Sequence, residues 1–145
     1  MVLISSCLAG CPVRYDGRAS TSKEVLELMN SGEDYILICP ELLGGMSVPR
    51  EPSEISGGNA CDVINGNACV INIKGEDVTA FFLNGAKAVL DMAMSLKPQR
   101  IYLKSKSPSC GLGEVYDGSF SGELIQGNGI CAELLRKNGF EVISI

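Results

Sequence analysis

Ile101-Tyr-Leu-Lys-Ser-Lys-Ser-Pro-Ser-Cys-Gly111 is the stretch on which the fold turns. It opens apolar and β-prone, then breaks into Ser-Pro-Ser-Cys-Gly. Pro108 cannot donate to a strand ladder, and Gly111 tolerates backbone angles that other residues resist. The reading is a strand that ends and passes Cys110 to a loop. The same pattern occurs twice upstream. Val2 to Ser5 is apolar and leads into Cys7, and Tyr35 to Ile38 leads into Cys39-Pro-Glu41. Three strand-like runs each deliver one cysteine near their C-terminal end. In an open parallel sheet those ends converge on one crevice, where ligands bind.

Helical patterns alternate with these strands. Thr21-Ser-Lys-Glu24 reads as a capping box before Val25, Leu28 and Met29, with Gly32 as the stop. Val78 to Leu96 carries apolar residues at helical spacing and ends before Pro98. Gly85 within it is expected to allow close packing on the sheet. Asn128 reads as the cap of a helix through Leu134 and Leu135 that Gly139 closes, and Phe140 to Ile145 reads as a last strand. Cys39 to Glu54 reads as a long Gly/Pro loop. Asn65-Gly66 predicts a short hairpin between Cys61-Asp-Val-Ile and Cys69-Val-Ile, and Glu114 to Ile125 predicts another turn or hairpin. This order predicts one doubly wound α/β domain over residues 1–145, its sheet mainly parallel.

Composition narrows the function. The chain has 145 residues, 46% hydrophobic and 20% charged, with a net charge of −5. Without a long basic run, binding to polymeric nucleic acid is not expected. No apolar stretch is long enough to span a bilayer. The first residues lack the basic region of a signal peptide and read as a strand, so a cytoplasmic location is expected. Seven cysteines and no histidine suit thiolate chemistry with a soft metal, zinc or iron–sulfur, better than a disulfide framework.

Cys7, Cys39 and Cys110 are the candidate metal ligands. Cys61, Cys69 and Cys131 sit in element patterns and read as small buried hydrophobes. Cys11 could be a fourth ligand, a redox thiol or a loop residue. Three thiolates can hold a four-iron cluster with one iron open, a Lewis acid with affinity for sulfur. Glu41, two residues past Cys39, can reach the crevice as a proton-transfer group. Ser107 and Ser109 flank Pro108 and could orient a substrate or form an ordinary turn. Arg14 and Asp16 are either a solvated pair or part of the site.

The blocks together resemble the thiouracil desulfidase family, once known only as a domain of unknown function. They are Cys7-Leu-Ala-Gly10 with Arg14-Tyr-Asp-Gly17, Cys39-Pro-Glu41, Gly44-Gly-Met46 with Pro49-Arg50-x-Pro52-x-Glu54, and Lys106-Ser-Pro-Ser-Cys-Gly111. Asp77-Val-Thr79, Gly85-Ala86, Tyr116-Asp-Gly-Ser-Phe120 and Gly127-x-Gly-Ile130 follow the family's order. The resemblance implies a Rossmann-like fold with helices on both faces of the sheet. It implies a [4Fe-4S] cluster on Cys7, Cys39 and Cys110, which aerobic preparation can strip. The implied activity is non-redox desulfuration of a small thiolated pyrimidine base, thiouracil to uracil plus hydrosulfide, with Glu41 and either Ser107 or Ser109 as catalytic groups. Arg14, Asp16, Arg50 and Glu54 are the candidate substrate-binding residues. Two other classes use the same residues: a non-catalytic metal- or cluster-binding module, and a thiol redox protein using Cys7 and Cys11.

Overall fold

The structure, a computed structural model, describes residues 1–145. At its centre lies β1 (Val2–Ser5), every residue of which is buried. It pairs in parallel with β2 (Tyr35–Ile38) on one side and β5 (Arg100–Leu103) on the other. β8 (Val142–Ser144) adds in parallel beyond β5, so the sheet order is β2-β1-β5-β8. Parallel strands covered on both faces read as continuous apolar runs, as β1 and β5 do. The edge strands are more exposed, as at Tyr35 and Ser144. Alternation splits the side chains between two clusters. Leu3, Ile101 and Leu103 join Phe82, Val89 and Ala93 of α4 (Thr79–Leu96) and Ile130 and Leu135 of α5 (Ile130–Lys137). Val2, Ile4 and Tyr102 pack with Val25 of α1 (Lys23–Asn30). The chain is therefore an α/β domain around a central four-stranded parallel sheet.

Several local expectations change. The cap of α1 is Ser22, not Thr21: its Oγ accepts from the Val25 N–H at 3.3 Å. The loop after Cys39 holds a one-turn helix, α2 (Pro40–Leu43), with proline at the first helical position where a missing N–H costs nothing. The hairpin expected at Asn65-Gly66 does not form. Residues Ala60–Ile64 are instead a helix, α3, because Asn59 and Asp62 close a reciprocal capping box. β4 (Cys69–Asn72) pairs antiparallel with β3 (Ser53–Ser56) upstream. The second expected hairpin does form, from β6 (Glu114–Tyr116) and β7 (Leu124–Gln126). Gly129, not Asn128, occupies the cap of α5. The Asn128 side chain instead accepts from the Gly113 N–H and donates to Glu133.

Gly85 packs against α2, not the sheet. A methyl group there would strike the Pro40 carbonyl, and one on Gly44 would strike the Phe81 carbonyl. Two facing glycines thus let the backbones of α2 and α4 touch, which locks the turn carrying Cys39 and Glu41 onto the core.

Candidate metal and substrate site

Three parallel strands end at the same edge of the sheet. β1 passes into a 3₁₀ turn, Ser6–Ala9, that carries Cys7. β2 passes into Cys39, which precedes α2. β5 passes into the Ser-Pro-Ser-Cys loop. All three cysteines line one cavity of about 410 Å³, together with Glu41 and Ser107. Apolar walls come from Val13, Ile38, Pro40 and Pro52. The convergence expected from the strand ends is present.

The thiols are shielded from water. Burial pushes Cys7 up to about 11, and the neighbouring Cys39 adds to the shift. Burial pushes Cys110 up to about 12, partly offset by a hydrogen bond from the Ser5 hydroxyl. Cys39 is raised for the same first reason. Without a metal these groups are neutral thiols, so a metal must displace their protons to bind. No three Cys, Asp or Glu side chains are gathered closely enough to share a single ion. A four-iron cluster is wider than one ion, and each ligand binds a different iron. Three separated thiols around one cavity, with an apolar wall and no histidine, fit such a cluster as a donor set.

Glu41 is held at both oxygens. Arg50 Nε donates to Oε1 at 3.3 Å and Ser109 Oγ donates to Oε2 at 3.1 Å. The Arg50 side chain is 5% exposed and its other nitrogens donate to the Val13 and Ser47 carbonyls. Ser107 Oγ lies 2.9 Å from Ser109 Oγ and accepts from the Ser109 and Cys110 N–H groups, each at 3.1 Å. A carboxylate only accepts, so when Ser109 donates to Glu41 the remaining hydroxyl contact must run from Ser107 to Ser109. A directed chain follows, Ser107 to Ser109 to Glu41. Ser107 faces the cavity, whereas Ser109 is 1% exposed and lies behind it.

The other candidates divide. Arg14 lines the cavity, donates to Ser20 Oγ at 3.0 Å and sits over the Tyr15 ring. Arg50 lines it and braces Glu41. Asp16 does not line it. That side chain is exposed and accepts from the Arg18 N–H at 3.0 Å, closing its own turn. Glu54 lines the cavity with one oxygen already committed to the Gly118 and Phe120 N–H groups. Lys104 and Lys106 also line the cavity and were not singled out in the sequence. Burial lowers the Lys104 ammonium, while the Cys7 and Cys110 sulfurs beside it act in the opposite sense. Their alternation along one segment after a strand was the signal available. Cys11 lies off the cavity and, like every cysteine here, is a free thiol. Cys61 contacts Glu133, Cys69 contacts the Ser56 carbonyl, and Cys131 is fully buried.

A sequence model of the family described as 2-thiouracil desulfurase matches residues 2–145. The uncharacterized protein YbbK of Bacillus subtilis (strain 168) is 45% identical over 144 residues, covering 99% of this chain and 95% of its own. Among solved structures, the [4Fe-4S]-dependent thiouracil desulfidase TudS superposes with a TM-score of 0.85 at 36% identity. That match covers 99% of this chain and 89% of the other.

Proposed function

The chain belongs to the 2-thiouracil desulfurase family, and from that premise we propose that it is a desulfidase acting on a free thiolated pyrimidine. The reaction exchanges the thiocarbonyl sulfur for the oxygen of water. One carbon–sulfur bond breaks, one carbon–oxygen bond forms, and hydrosulfide leaves with no net electron transfer. Cys7, Cys39 and Cys110 would hold the [4Fe-4S] cluster. When bound, that cluster supplies a Lewis-acidic iron for the sulfur. The observation that carries the reading is the convergence of the three thiols and the Arg50-braced Glu41 on one cavity.

The protein's own groups manage the proton. Each Glu41 oxygen keeps a lone pair beyond its present hydrogen bond, so the carboxylate can accept from attacking water. Arg50 fixes its position. Ser107 meets the substrate, and Ser109 orients both Ser107 and Glu41 from behind. Arg14 borders the substrate space, and Lys104 offsets negative charge near Cys7 and Cys110. The apolar wall excludes bulk water from the reacting carbon. Glu54 braces the wall rather than binding substrate, and Asp16 takes no part.

The strand order and the two clusters on opposite sides of the sheet support a Rossmann-like, doubly wound description. No helix is long and apolar enough to cross a membrane; the enzyme is read as cytoplasmic, and its net charge of −5 favours small bases over nucleic-acid polymers.

Anaerobic reconstitution with iron and sulfide, followed by assay on 2- and 4-thiouracil, tests the proposal. Uracil and hydrosulfide should appear in equal amounts. A protein that shows the cluster's absorption yet releases no hydrosulfide from either base would overturn it.

A further inference from the structure

The hairpin loop between β6 and β7 is tied to the cavity by a contact that spans much of the chain. Glu54 on β3 is 8% exposed, and its Oε1 accepts from the Gly118 N–H at 2.9 Å and the Phe120 N–H at 3.2 Å. These are charge-assisted bonds, stronger than those between neutral groups. They are not needed to close the turn itself. Asp117 accepts from the Ser119 N–H, the Ser119 and Ser121 hydroxyls meet, and the Asp117 N–H donates to the Glu123 carbonyl. Glu54 instead fixes where the closed loop lies. Gly118 rests on β3 so closely that a methyl group there would come within 2.6 Å of the Ile55 carbonyl. Phe120 adopts φ +56°, a region costly for a non-glycine residue and retained only when the surroundings enforce it.

The effect of this pinning is to make Phe120 a wall of the cavity. Two other aromatic residues also line it, Tyr15 and Tyr116, both of them phenols. Tyr15 is 40% exposed and lies under the Arg14 guanidinium. Tyr116 belongs to the β6–β7 ladder, paired with Leu124. Phe120 has no polar atom to satisfy and offers a flat, apolar ring. Planar heterocycles bind such rings by stacking. We propose that Phe120 is the stacking platform for the pyrimidine ring and that Glu54 is the positioning residue that holds it there. This inference rests on the desulfidase reading for the identity of its ligand.

Two sets of measurements test it. In the metal-free protein, hydrogen exchange at the Gly118 and Phe120 amides reads the anchor alone. Glu54→Ala should speed exchange at both about ten-fold or more, the change expected from losing a hydrogen bond to a charged group. Glu54→Gln, whose carbonyl oxygen still accepts, should restore most of the protection. Unchanged exchange in Glu54→Ala would overturn the anchor. In anaerobic, cluster-loaded protein, equilibrium dialysis with 4-thiouracil reads the platform. Phe120→Leu should weaken binding about ten-fold, the scale of one lost stacking contact, with the kinetic loss falling on KM rather than kcat. Phe120→Tyr, which keeps the ring, should recover binding. Equal affinity in wild type and Phe120→Leu, or no binding by wild type, would overturn the platform. Binding without turnover would sink the desulfidase reading and leave the platform standing. Turnover with affinity unmoved by Phe120→Leu would do the reverse.

Discussion

Two sets of three cysteines occupy this small domain, and they differ in where the fold brings them. Cys7, Cys39 and Cys110 come from three separate strand ends and line one cavity. Cys61, Cys69 and Cys131 lie on or beside α3, β4 and α5, and their neighbours are individual. Cys61 faces Glu133 at 3.7 Å, Cys69 faces the Ser56 carbonyl at 3.8 Å, and Cys131 is enclosed by the core. Buried thiols occur in both sets, so burial does not separate them. Convergence does. A carboxylate braced by arginine and a chain of two serine hydroxyls accompany the first set, and nothing comparable joins the second. Parallel topology brings distant residues to one edge, whereas an individual helix or strand position serves mainly its own packing.

The largest effect expected from this contrast is at Cys39. Cys39→Ser replaces a soft thiolate with a hard oxygen at a helix start that the Gly44–Gly85 contact holds rigid. Iron and hydrosulfide release should be lost together while the far-ultraviolet spectrum stays native. Retained iron in a folded variant would break the comparison at its strongest point. Next in size is Glu41→Gln, which keeps shape and hydrogen-bond partners for Arg50 but removes the proton acceptor. Turnover should fall roughly 10²-fold or more, the scale of a lost general base, with iron content and 4-thiouracil affinity near wild type. Near-normal turnover would take Glu41 out of the reaction.

Much of this arrangement was legible in the sequence because parallel strands are apolar throughout and stop abruptly. Val2–Ser5 and Tyr35–Ile38 coincide with their expected bounds, and Arg100–Leu103 covers the apolar opening of the Ile101–Gly111 stretch; with them came the three strand-end cysteines and Glu41. The region between β2 and α4 was less legible. Asn65-Gly66 has the chemistry of a hairpin turn, but the Asn59–Asp62 capping box makes the preceding residues helical. The partner of β4 then has to lie upstream, before α3, at Ser53–Ser56. The direction a side chain faces inside a loop was not legible at all. Ser107 and Ser109 are equivalent in a string of residues, yet only Ser107 borders the cavity. Arg14 and Asp16 share one motif, yet Asp16 turns away to close its own loop. The Glu54 contact with Gly118 and Phe120 joins residues more than sixty apart, a separation that local pattern does not encode.

The smallest effects belong to the second set, and they sharpen the contrast by separating stability from cluster content. Cys131 is fully buried on α5 among apolar side chains. Burial pushes its thiol well up, with the nearby Cys110 adding to the shift, so it is a neutral packing group. Cys131→Ser exchanges a weakly polar sulfur for a hydroxyl in the same apolar space. That hydroxyl loses water, and the loss should cost about 1–3 kcal/mol of stability. Cys61 is half-buried at the edge of a shallow cleft beside Glu133. A thiol–carboxylate contact at 3.7 Å is weak, so Cys61→Ala should change stability by only about 0.5 kcal/mol. Urea unfolding of the metal-free proteins measures both differences, and iron analysis after anaerobic loading supplies the second axis. Cys131→Ser should move only the first axis and Cys61→Ala should move neither far. Iron loss in a Cys61→Ala protein of native stability would show that the second set contributes to the cluster after all. Position at converging strand ends would then no longer distinguish the ligands from the rest.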